Sequence, residues 1–152
     1  MGQNNDVCQE CLRYYNSGKT GGLNCAESTL KGVATYLGLE SDAIYRIATP
    51  FGGGLARNGY LCGSLAAGLM LIGLKYGRTS PDQERKVAND QADLLLKKFM
   101  AEYGTINCRE LTGIDLKDPT QVKEKKQQVH ETVCRPLVAN VCRWVTEILS
   151  AE

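Results

Sequence analysis

Apolar residues recur at helical spacing along almost the whole chain, and each run is closed by a glycine or proline stop or opened by a capping residue. No stretch alternates apolar and polar residues in the two-residue period of a half-buried strand. The pattern predicts an all-α protein, a single-domain helical bundle of about five to seven helices over residues 1–152. Within it, residues 1–22 read as an N-terminal helix with a glycine-rich loop, and 23–152 as the main body.

The stops are specific. Val7, Cys8, Cys11, Leu12 and Tyr15 form one helical face, with Gly18 as its C-terminal cap and Gly18–Gly22 as loop. Asn24 with Glu27 three places later reads as a capping-box variant, followed by the face Leu30, Val33, Ala34 and Leu37, with Gly38 as stop. A short helix starts at Ser41 and ends at Pro50. Residues 51–59, with Gly52–Gly53–Gly54, read as loop. The apolar run from Tyr60 to Tyr76 keeps Gly63, Gly68 and Gly73 at about 1 kcal/mol each relative to Ala, which predicts a central helix closely approached by neighbours. Ser80–Pro81 predicts the start of a helix running to Gly104. Asn107–Glu110 repeats the Asn-Cys-x-Glu pattern before Gly113, and Asp118–Pro119 opens a charged helix. A last helix is expected from about Pro136, with Leu137, Val138, Val141, Cys142, Val145, Ile148 and Leu149 as its stripe.

Against this frame the cysteines stand out: seven, beside one histidine and one tryptophan. An odd number cannot pair completely within one chain. The first residues carry neither a basic segment nor an apolar core of a secretory signal, so the expectation is a cytoplasmic, soluble protein with thiols free, metal-bound or redox-active. The run Leu61–Leu74 is shorter than the roughly 20 apolar residues a membrane span needs, so no membrane association is expected. Eighteen basic residues against seventeen acidic ones leave a net charge of +1, without the basic excess of a general nucleic-acid binder.

Four cysteines fall at or near expected helix N-termini. Cys25 and Cys108 each follow an asparagine cap, Cys62 stands where the glycine loop enters the central helix, and Cys134 lies two residues before Pro136. Backbone N–H groups and the helix dipole stabilise a thiolate there, the form that attacks disulfides and ligates metals. Cys142 sits in an apolar stripe and reads as packing. Cys8 and Cys11 form a Cys-x-x-Cys pair, a weaker candidate for redox or metal chemistry; Leu12 follows, so the c-type haem motif is absent. Arg57 adds positive charge beside Cys62. His130 is a candidate ligand or base that reads more simply as a solvated helix residue, and Lys123–Lys126 as a solvated face. Glu27, Glu110 and Asp115 are explained as caps and turn residues, and the glycine loop lacks the Gly-Lys-Ser/Thr of a phosphate loop.

With these segments in hand, the chain resembles the C_GCAxxG_C_C family over roughly residues 20–150, a family of similar length regarded as redox-active. The resemblance rests on Asn24–Cys25–Ala26–Glu27, Phe51–Gly54, Cys62–Gly68, Gly73–Arg78, Asn107–Leu111 with Gly113 and Asp115, and Cys134. Ser64 stands where the family motif has Ala, where a hydroxyl beside Cys62 can bond its sulfur, and Ala67 stands where the motif has Gly. The resemblance implies one site built from Cys25, Cys62, Cys108 and Cys134.

Three chemistries suit such a site. Four thiolates are the usual ligand set of an iron–sulfur cluster, which would make the protein an electron carrier. The same thiols without metal form a thiol–disulfide oxidoreductase, with a redox partner protein or a small-molecule oxidant or reductant. Four thiolates also hold structural zinc. The iron–sulfur cluster leads as the expected cofactor, with no cofactor or zinc as alternatives; a homo-oligomer is compatible with all three.

Overall fold

The structure, a computed structural model, describes residues 2–15 and 22–151, with side chains described from residue 6. Helices α1 (Gly2–Tyr14), α2 (Cys25–Tyr36), α3 (Asp42–Ala48), α4 (Gly63–Tyr76), α5 (Lys86–Tyr103), α6 (Cys108–Thr112), α7 (Pro119–Val129) and α8 (Arg135–Ser150) follow in order. A 3₁₀ turn, Thr49–Phe51, ends the α3 region, and a π-helical turn, His130–Cys134, joins α7 to α8. Backbone angles stay right-handed helical through Val129, His130, Cys134 and Arg135, so α7 and α8 are one continuous helix. Seven separate helices result among the described residues, with two isolated β-bridges and no strands, as the periodicity predicts.

Most stops act as read. Asn24 and Glu27 form a reciprocal capping box, Asp118 accepts from the N–H groups of Thr120 and Gln121, and Gly104 and Gly113 close their helices in the left-handed conformation. The Gly18 cap and most of the 18–22 loop lie outside the described residues; beyond them, Leu23 N–H donates to the Tyr14 carbonyl at 3.2 Å.

Three local readings need correction. The helix expected from Ser80–Pro81 begins at Lys86 instead. The Gln83 side chain accepts from the N–H groups of Thr79 and Ser80, which fixes a turn that competes with helix start. No helix begins at Pro136: the chain passes through it as a continuous helix. Proline supplies no N–H and crowds the carbonyl four residues back, and the wider π turn immediately before it relieves both. Of the three glycines in α4, Gly63 and Gly68 sit against neighbours, whereas Gly73 is exposed with nothing near.

The core is a three-helix centre with two covers. α2, α4 and α8 pack on one another, α1 covers α2 and α8, and α5 covers α4 and α8. Leu30, Val33, Leu65, Leu71, Val138, Val141 and Val145 are fully buried here, with Leu95 and Phe99 from α5 and Val7 from α1. Cys142, read as packing alone, is buried in this core but bonded to Cys11 of α1 as a disulfide. The readings of Cys142 as packing and of Cys11 as a partner of Cys8 are corrected at this pair: helix packing brings together two residues 131 apart in sequence, which no local pattern reveals. Gly32 permits the approach, since a Cβ there would collide with the Cys11 sulfur.

Candidate functional site

The site is assembled around the first residue of α2. The capping box fixes Asn24, and Cys25 follows as the first helical residue. Gly63, the first residue of α4, lies directly against it: a Cβ at 63 would stand 2.7 Å from the Cys25 sulfur and 2.5 Å from the Phe51 carbonyl oxygen. Two helix starts thus meet at one sulfur. Backbone N–H groups of Gly53, Ala26, Ser64 and Cys25 itself lie near enough to favour its thiolate.

Gly53 reaches this position through an unusual loop. Gly53, Gly54, Leu55, Ala56 and Arg57 have φ of 64°, 70°, 65°, 50° and 65°, a continuous left-handed turn. For the three non-glycine residues this costs roughly 1–2 kcal/mol each. The loop is held by backbone bonds from Ala56 to Pro50, Arg57 to Gly52, Gly59 to Gly53 and Tyr60 to Gly54. Arg57 Nη2 also donates to the Leu116 carbonyl at 2.7 Å. The sequence reading recognised a tight glycine loop here but not the left-handed stretch beyond the glycines.

Cys62 and Cys108 are placed by a different device. Cys62 N–H donates to the Ile106 carbonyl at 2.8 Å, and Cys108 N–H donates to the Tyr60 carbonyl at 2.6 Å, on either side of the Leu61–Asn107 antiparallel bridge. Cys62 occupies the N-cap of α4 and is buried; Cys108 is the first residue of α6 and half-buried. The N–H of Cys108 is spent on Tyr60, and the Asn107 side chain donates to Glu110 instead of capping the helix. Cys134, expected ahead of a helix start, lies inside the continuous α7–α8 helix at its π turn, where a Tyr15 side-chain hydrogen bond favours its thiolate.

Burial is the first cause raising all four thiols above their ordinary range. Cys108 is pushed up to about 11 and Cys134 to about 12; Cys25 and Cys62 are also raised. The second cause for Cys62, Cys108 and Cys134 is the same in each case: repulsion from a charge on Cys25. A charge on Cys25 therefore bears on each of the other three thiols, and one on Cys108 raises Cys62 and Cys134 further. The backbone N–H groups around Cys25 act in the opposite direction and favour its thiolate.

Cys25, Cys108 and Cys134 lie on the wall of one cavity of about 440 Å³. Cys62 is buried and does not line it. Arg57, Lys126 and His130 also line the cavity, which puts Arg57 at the same cavity as the three wall cysteines. His130, read as a solvated helix residue, is half-buried against the Tyr15 ring at 5.7 Å, and burial lowers its pKa. Lys126 turns inward from the charged run that otherwise faces solvent. Lys126, His130 and Cys134 recur at four-residue steps, a signal for one helix face that the separate readings did not join.

The remaining candidates lie elsewhere. The Cys8 thiol donates to the Ala139 carbonyl at 3.2 Å in the α1–α8 interface, and Cys11 is in the disulfide. Cys8 and Cys11 do not act as a pair. The Ser64 hydroxyl, expected near the Cys62 sulfur, bonds Thr29 Oγ1 at 2.7 Å. Thr29 spends its single proton on the Cys25 carbonyl, so Ser64 is the donor. Glu27, Glu110 and Asp115 serve caps, turns and an Arg109 ion pair.

Among the described residues, no three His, Cys, Asp or Glu side chains are grouped closely enough to hold a metal ion. Comparison with curated proteins and with solved structures finds no match. The sequence profile described as "Putative redox-active protein (C_GCAxxG_C_C)" matches residues 23–148, a span that holds Cys25, Cys62, Cys108 and Cys134. The chain belongs to the C_GCAxxG_C_C family.

Proposed function

We propose that this protein is a metal-free thiol–disulfide oxidoreductase in which Cys25 is the attacking thiol. The observation that supports this most is that the starts of α2 and α4 meet at the Cys25 sulfur, with nearby backbone N–H groups favouring its thiolate, at a cavity wall shared with two further thiols. Cys25 thiolate attacks one sulfur of a substrate disulfide; a mixed disulfide forms and the other substrate sulfur leaves as a thiolate. Cys108 or Cys134, each electrostatically coupled to Cys25, then gives up its proton and attacks the Cys25 sulfur. The second substrate thiol leaves and an intramolecular disulfide remains. Two protein thiols are oxidised, the substrate disulfide is reduced, and the two protons end on the two product thiols.

An iron–sulfur cluster on Cys25, Cys62, Cys108 and Cys134 is the second reading. The donor set suits it in kind: four mutually coupled thiols, one of them facing N–H donors. Their spacing does not gather three around a single ion, so it gives no support to structural zinc and no step is routed through a metal here.

Protein purified anaerobically, freed of metal and reacted with a small disulfide tests the reading. The expected result is release of two substrate thiols per chain and an internal disulfide that includes Cys25, with Cys25→Ser abolishing both. Brown, iron-containing protein whose four site thiols resist alkylation until iron is removed would replace it with the cluster reading.

A further inference from the structure

Thiol–disulfide exchange leaves open which disulfide enters. The ionisable groups on the cavity wall other than thiols and the Tyr15 phenol are Arg57, Lys126 and His130, and no described lining residue is a carboxylate. Neither Arg57 nor Lys126 joins an ion pair among the described residues. Arg57 is held by its bond to the Leu116 carbonyl, at the end of the left-handed turn that also supplies the Gly53 N–H to Cys25. Lys126 stands one helical turn before His130 and two before Cys134. Two cations without an ion-pair partner among the described residues thus line the cavity that holds three of the thiols, from two different elements, the 53–57 turn and α7.

We propose that the cavity takes a small, carboxylate-bearing disulfide, with Arg57 and Lys126 as its charge-recognition residues. The inference rests on the thiol-exchange reading above. The size supports a small molecule: about 440 Å³ lies within the roughly 300–1,000 Å³ of ordinary ligand pockets. The charge supports an anionic one, because cations in a walled cleft concentrate anions and repel cations. They also stabilise the thiolate that leaves when Cys25 attacks. The balance is that of the exchange itself: the entering disulfide gains two electrons and two protons, and Cys25 with its resolving cysteine loses them.

The test uses the full, reduced, metal-free chain and three small disulfides that share the S–S bond and differ in charge: dithiodipropionate (anionic), hydroxyethyl disulfide (neutral) and cystamine (cationic). Each rate is divided by that of dithiothreitol with the same disulfide, which removes intrinsic reactivity. The expected order is anionic, neutral, cationic, with about tenfold between the extremes at low salt and less at high salt. Lys126→Gln flattens the order and Lys126→Glu reverses it; both are read as the ratio of the anionic to the cationic rate, in which any change common to all three disulfides cancels. Arg57→Gln acts in the same direction; where its loop fails to form, the Lys126 pair carries the test. Equal normalised rates for all three disulfides, or an order unmoved by Lys126→Glu, overturn the charge assignment and leave thiol exchange intact. No reaction with any of the three overturns the exchange reading, and this inference with it.

Discussion

At the scale of the residue, the decisive positions are those where a neighbour's atoms leave no room. Gly63→Ala places a methyl group 2.7 Å from the Cys25 sulfur and 2.5 Å from a carbonyl oxygen, so the α2–α4 contact must open. We expect a loss of about 1–3 kcal/mol in urea unfolding, with altered Cys25 alkylation. Gly73→Ala, three residues before the end of the same helix with open space around it, should instead gain about 0.5–1 kcal/mol. If the two substitutions behave alike, the close approach at Gly63 is wrong. Ser64→Ala removes the donor to Thr29 and should cost about 1 kcal/mol while leaving Cys62 reactivity unchanged. Both glycines read equally as small residues of a central helix. Nothing in their immediate sequence separates them, because the difference lies in what stands opposite each one.

The elements carry the site's chemistry through their ends and joints. Cys25 is where the capping residues place it, and there the sequence was sufficient. At Cys108 and Cys134 the same rule of thumb fails for different reasons. The first N–H of α6 is taken by the 59–60 strand-like segment, and the helix expected to start after Cys134 is already running. Both thiols consequently remain largely governed by burial, and this has a pH consequence. Their folded values, about 11 and about 12, lie above the ordinary thiol value of 9.0. The folded state therefore holds these protons more tightly than the unfolded chain. The stabilisation from this source is fully present below pH 9 and is lost as pH rises through 11–12. Unfolding midpoints should fall over that alkaline window. Replacing Cys108 and Cys134 by serine should blunt the fall; an unchanged slope would remove these thiols from the account. Iodoacetamide labelling of both should be slow at pH 7 and accelerate about tenfold per pH unit below their pKa values.

The molecule as a whole adds a covalent tie between its two outer ends in sequence. The Cys11–Cys142 disulfide joins α1 to α8 across the core and closes a loop of well over a hundred residues. Under denaturing, non-reducing conditions a thiol reagent should count the five free cysteines, and all seven after reduction. Reduction, or Cys11→Ala with Cys142→Ala, should cost about 2–5 kcal/mol of stability. Five accessible thiols before reduction, with a drop in stability on reduction, support this tie; seven would refute the first half of that expectation, and no effect of reduction on unfolding would refute the second. Taken by itself, the sequence determined the helical class, most caps and stops, the apolar faces of α2 and α8, and the family to which the chain belongs. These follow from period, propensity and local hydrogen bonding within a few residues. Tertiary structure decided the rest. It chose Cys142 as the partner of Cys11, buried Cys62 away from the cavity wall and put the other three thiols on it, and brought Lys126, His130 and Gly53 to the same wall. Each of these depends on groups brought together from distant parts of the chain by packing, and the free energy that holds them there is set by burial, which no local window of sequence contains.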